Sequence, residues 1–166
     1  MPQFRSRRSC RVAMSIPIRI YAVDYRGVDF TEDAETVIIN QHGAKIRMAH
    51  QLLPDQEIQL FCQPTREQAL FRVVSKLNGS ELRYTYWGVE NLDQHVNIWG
   101  VKLPALQPDD QVGIRVVLKC PTCAARESIR VDEKLLSALT EEGGILRGCL
   151  SCKERGRWKI LPFQIV

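Results

Sequence analysis

No stretch of this 166-residue chain approaches the roughly 18 consecutive apolar residues that a membrane-spanning helix needs, so no membrane insertion is expected. The nearest candidate, residues 14–20, alternates in polarity and is interrupted by Pro17 and Arg19. The basic start is therefore not followed by the apolar core of a secretion signal, and a cytoplasmic protein is expected. Acidic residues are missing from the first eleven positions, where Arg5, Arg7, Arg8 and Arg11 crowd together. That end carries a local field that attracts anions. The net charge of +4 is too small to imply a nucleic-acid partner by itself. Histidine is scarce: His42 is read as a turn residue rather than a base, and His50 and His95 show no partner. No nucleophile, base and orienting acid can be assembled, so the chain is not read as an enzyme.

What is present is enough apolar material for a core, 45% of residues, and a texture that is mostly β. Residues 16–23, 36–39, 44–48, 57–61, 70–77 and 83–90 alternate or run apolar as short strands do. Turn signals separate them: Arg26-Gly27, Gly43, Pro54-Asp55 and Asn78-Gly79. Six short strands at this spacing predict a small antiparallel barrel, which hides its edges by closing. "WGV" occurs at 87–89 and again at 99–101, and both tryptophans are expected to anchor packing. Residues 104–110, with two prolines, are the linker candidate and divide the chain into 1–106 and 107–166. Beyond them come strands at 112–119 and 127–131. A helix capped by Asp132 then runs through Leu139 and stops at Gly143-Gly144, before a last strand at 158–161.

Cys120-Pro-Thr-Cys123 and Cys149-Leu-Ser-Cys152 are two C-x-x-C pairs with 25 residues between them. Two intervening residues make a tight turn that aims both sulfurs at one point. Two such turns provide four thiolates, the closed tetrahedral set of structural zinc, with iron as the competitor. A redox dithiol needs no second copy. With every position filled by cysteine, no site remains for water or substrate, so a structural role is expected in a small α+β module whose core is thin. Cys10 and Cys62 are read as ordinary small side chains. Arg147, Lys153, Arg155, Arg157 and Lys159 near the second pair are read as a solvated face diluted by Glu141, Glu142 and Glu154. Nucleic acid is accordingly not expected as a partner.

Arg7 and Arg11 are four apart with Arg8 between them, and guanidinium forks bind phosphates and guanine edges bidentately. Gly43 allows a loop backbone to come close to a ligand. The arm "RRSCRVAMSIPIRI" and the loop "TVIINQHGAKI" together resemble the PilZ family, and "YWGVENL" resembles that family's closing barrel strand. The resemblance covers about residues 7–104 and stops before the cysteine region. It implies a six-stranded barrel that binds the bacterial second messenger cyclic di-GMP through Arg7, Arg8, Arg11, Asn40 and Gly43. Ile38 stands where the resemblance implies Asp or Asn, so weakened binding follows. The implied role is a signalling adaptor that passes the ligand signal to a protein partner. A barrel that binds no nucleotide and serves as an interaction scaffold is the first alternative; a zinc-ribbon nucleic-acid binder is the second.

Overall fold

The structure, a computed structural model, describes residues 8–77, 83–93, 95–108 and 113–161. Arg7, the Asn78-Gly79 turn, and Asp109 and Asp110 of the linker candidate lie outside them. The chain forms two compact units. Among the described residues, one takes 14–103; the other combines 8–13 with the chain from 104 to 161. The division at 103/104 lies close to the expected 106/107, while residues 8–13 pair within the C-terminal unit. Among the described residues no helix is long and apolar enough to cross a membrane.

The first unit is a closed six-stranded antiparallel barrel. Its strands are β2 (Pro17–Val23), β3 (Asp29–Asn40), β4 (Gly43–Met48), β5 (Glu57–Cys62), β6 (Glu67–Leu77) and β7 (Thr85–Asn91). Around the barrel β2 pairs β3, β3 pairs β4, β4 pairs β7, β7 pairs β6, β6 pairs β5, and β5 returns to β2. Alternation explains the closure: Ile18 and Ile20 on β2, Ile58 and Leu60 on β5, and Phe71 and Val73 on β6 all turn inward and are almost fully buried. Trp87 and Trp99 are both buried as expected, and Trp99 packs at a tilt on Phe71 with ring centroids 5.9 Å apart. Cys62 is buried among these side chains as an ordinary small residue.

Strand β3 is longer than the expected 36–39. Its acidic half, Asp29 to Glu35, pairs with β2 along its whole length, and Arg19 donates to Asp33 at 2.8 Å across the pair. One buried polar group closes the entry to the barrel. The Thr36 hydroxyl accepts from Ile16 N–H at 2.9 Å and donates to the Met14 carbonyl at 2.6 Å. Thr36→Val keeps the shape and leaves two backbone groups unpaired in a site that is 1% exposed. We expect it to destabilise the barrel by about 2 kcal/mol, read as a lower urea midpoint; an unchanged midpoint would assign those groups to solvent.

The second unit is a four-stranded sheet with one helix. β8 (Ile114–Lys119) is central, flanked by β9 (Arg126–Val131) and β11 (Arg155–Ile160), and β11 pairs outward with β10 (Ile145–Gly148). β1 (Val12–Ala13) adds a short parallel pairing, Val12 opposite Arg115. The helix α1 (Glu133–Glu141) begins at the expected cap, where the Asp132 carboxylate accepts from Leu135 N–H at 2.7 Å. It buries Leu136 and Leu139 and ends before Gly143 and Gly144, both at positive φ. At Gly144 a Cβ would lie 2.1 Å from the Trp158 carbonyl, so β10 enters beside β11 only because that side chain is missing.

Candidate functional site

Each C-x-x-C pair sits in the same backbone turn. In the first, Cys120 N–H donates to the Ala125 carbonyl at 2.8 Å and the Cys120 carbonyl accepts from Ala124 N–H at 3.2 Å. In the second, Cys149 N–H donates to the Glu154 carbonyl at 2.9 Å and the Cys149 carbonyl accepts from Lys153 N–H at 3.0 Å. Ala124 and Lys153 take equivalent left-handed conformations, with φ of 62° and 66°. The first turn joins β8 to β9 and the second joins β10 to β11, so sheet pairing brings them face to face.

All four sulfurs lie within 4.8 Å of one another. Cys120 Sγ is 3.8 Å from Cys152 Sγ, and Cys123 Sγ is 3.6 Å from Cys149 Sγ. A tetrahedral ion with Zn–S bonds of ~2.3 Å places its sulfurs about 3.8 Å apart. The four cysteines could therefore hold a metal such as zinc. Cys120 and Cys149 are buried, Cys152 half-buried and Cys123 exposed.

The turns also prepare the sulfurs electrostatically. Cys149 is held down to about 6, chiefly by the backbone N–H of Cys152, with that of Ser151 assisting against burial. Cys120 is lowered in the same way, first by the Cys123 N–H and then by that of Thr122. At Cys152 the Glu154 N–H lowers the value, but burial and the three neighbouring sulfurs outweigh it and push the thiol up to about 11. One thiol of the cluster thus ionises readily while another resists, because adjacent thiolates repel. A bound cation removes that conflict.

The barrel loop is a tight hairpin turn. Asn40 pairs with Gly43 across it, and the Asn40 side-chain oxygen accepts from His42 N–H at 2.7 Å. At Gly43 a Cβ would lie 2.0 Å from the Val89 carbonyl oxygen, so glycine is required by the approach of β4 to β7. Ile38 is 3% exposed and lies opposite Lys45, on the face of β3 away from Ile39 and Ala44. Of the arm residues, Arg8 is exposed, and Arg11 reaches Glu133 in the first turn of α1 at 3.4 Å. Arg8 and Arg11 belong to the C-terminal unit, Asn40 and Gly43 to the barrel.

Two features escaped the sequence. His50 has a partner: its ring pairs with the Glu32 carboxylate and stacks on Phe30 at 4.1 Å. The left-handed residues after each cysteine pair carried no signal, because glycine is the usual mark of such a position and Ala124 and Lys153 stand there instead. Compared with known proteins, the chain matches no protein-family model and no curated protein.

Proposed function

We propose that the protein is a non-catalytic binding scaffold: a PilZ-like barrel carried with a C-terminal unit that zinc holds together through Cys120, Cys123, Cys149 and Cys152. The cysteine cluster is the observation that carries the zinc assignment. Two identical turns converge on one point with sulfur spacings that suit a tetrahedral ion, and no ligand position is left open for chemistry. For the barrel, the loop supports a scaffold that binds no nucleotide. Asn40 fixes the turn, Gly43 accommodates Val89, Ile38 is a buried apolar side chain and Arg11 pairs with Glu133. Of the residues on which nucleotide binding would rest, Arg11, Asn40 and Gly43 thus have structural duties. The partner implied is another protein.

The second reading is a signalling adaptor that binds cyclic di-GMP. It is favoured by the closed six-stranded antiparallel barrel, the architecture that the PilZ resemblance implies. Calorimetry separates the two. Under the scaffold reading, titration of the full chain with cyclic di-GMP gives no binding heat. Heat that Arg11→Ala abolishes would transfer the assignment to the adaptor.

A further inference from the structure

The sheet of the C-terminal unit sorts its charges by face. Residues directly opposite one another across strands share a face, so the registers assign every side chain. One face holds Ile114, Val116, Leu118 and Trp158 and is covered by α1. The cation there, Arg147, is matched: it pairs with Glu127 at 2.6 Å and lies over the Trp158 ring at 5.1 Å. The opposite face carries Lys119, Arg126, Arg155, Arg157 and Lys159, all exposed. Arg115 and Arg130, opposite each other on β8 and β9, continue it. No Asp or Glu of these four strands shares that face.

The arrangement works against the sheet's own stability. Lys119 has Lys159 directly opposite on one side and Arg126 directly opposite on the other, at strand spacings of ~4.8 Å. Like charges facing each other across strands are destabilising. Arg155, Arg157 and Lys159 form a row along β11 with steps of ~6.7 Å. Two crossing rows of cations, spread over roughly 10 Å by 13 Å, complement a dense polyanion.

The geometry points to the outer face of β9–β8–β11–β10 as a docking surface for the phosphate backbone of duplex nucleic acid, bound without base readout. Charge complementarity selects the polyanion. The side chains interspersed among the cations, Val117, Ser128 and Leu146 with Gly148, offer no aromatic platform for stacked bases. Contacts confined to phosphates position a protein on a duplex and carry no sequence information. An anionic membrane is the weaker match, because Leu146 is the one exposed large apolar side chain among these and an interfacial element needs an apolar surface to insert.

The test is fluorescence anisotropy of the full chain with short mixed-sequence duplexes, DNA and RNA as separate arms, between about 50 and 200 mM salt. Binding to either duplex is expected, weakening steeply with salt. Lys119→Glu combined with Lys159→Glu should lower affinity about tenfold or more and reduce the salt slope by about two. A barrel control, Lys76→Glu with Arg83→Glu, should bind as wild type. The face variant should keep its far-UV dichroism; if it loses its fold, Lys119→Ala with Lys159→Ala replaces it and should lower affinity in the same direction. The proposal is overturned by absence of duplex binding at the lower salt. It is equally overturned by binding that these substitutions leave unchanged, or by binding to phosphatidylserine vesicles with none to either duplex.

Discussion

Removing the metal, or replacing Cys149 with Ser, is expected to unfold the C-terminal unit and leave the barrel folded. The unit's core is a handful of buried side chains on one face of a short sheet under a nine-residue helix. Zinc held by four thiolates contributes about 10–16 kcal/mol in small zinc modules, as much as the whole stability of an ordinary domain, about 5–15 kcal/mol. Without it, four sulfurs within 4.8 Å of one another have no reason to stay together. The barrel has a separate core, in which Ile18, Ile20, Leu60 and Val73 are 0% exposed. Hydrogen exchange reads the two units separately: amides of β8 and β11 should lose protection on chelation while those of β5 and β6 keep it. Metal analysis of reduced protein should find about one zinc per chain. Protein that contains neither zinc nor iron, and whose β8 amides stay protected, would end the zinc assignment.

The second large effect is at Ile38. Its side chain is 3% exposed, on a strand whose neighbouring residue, Ile39, is fully buried. Ile38→Asp removes a buried apolar side chain and puts a carboxylate in its place. Loss of the buried apolar group and the unmet solvation of the charge together should cost about 4 kcal/mol or more, enough to populate the unfolded barrel. Gly43→Ala is its milder companion. The new methyl group meets the Val89 carbonyl oxygen at 2.0 Å and the Glu90 Cα at 3.0 Å, both backbone, and the expected loss is about 1–3 kcal/mol. The nucleotide-binding reading expects the reverse at position 38, where an acidic side chain completes the loop and tightens cyclic di-GMP. A thermal melt followed by calorimetry decides: an Ile38→Asp protein that melts with wild type and gains binding heat would sink the scaffold reading.

The cysteine cluster was legible because its geometry is local. A two-residue gap fixes the turn, and duplication at a second place implies convergence. The barrel strands were legible where alternation was strong, as at Ile18, Ile20, Ile58 and Leu60. The first half of β3 was not, since Asp29 to Glu35 is rich in residues that strands disfavour. Cross-strand pairing, including Arg19 with Asp33, supplies what propensity lacks. Gly43 was read as a place where the loop backbone comes close to a ligand, but a sequence does not say what approaches; in the fold the Val89 carbonyl does. Charge sorting in the C-terminal sheet was hidden for a similar reason. Counted along the chain, Glu141, Glu142 and Glu154 dilute the basic residues. Only the register reveals that Glu127 lies with Arg147 on the covered face while Lys119, Arg126 and Lys159 share the open one. Long-range pairing of Val12 with Arg115 of β8 has no signature in local periodicity at all.

That pairing gives the chain an unusual order of completion. Val12 lies beside Arg115, and the Arg11 carbonyl accepts from Arg115 N–H at 2.8 Å. The barrel is thus an insertion within the other unit, occupying the span between two segments that belong together. On a ribosome, which releases the amino-terminal end first, residues 8–13 are born before the barrel and find their strand only after it has emerged. A segment made before the barrel is thus paired with β8 only after the barrel. A barrel that folds promptly favours this pairing, because a long flexible loop, whose closure opposes it, is replaced by a compact span of chain.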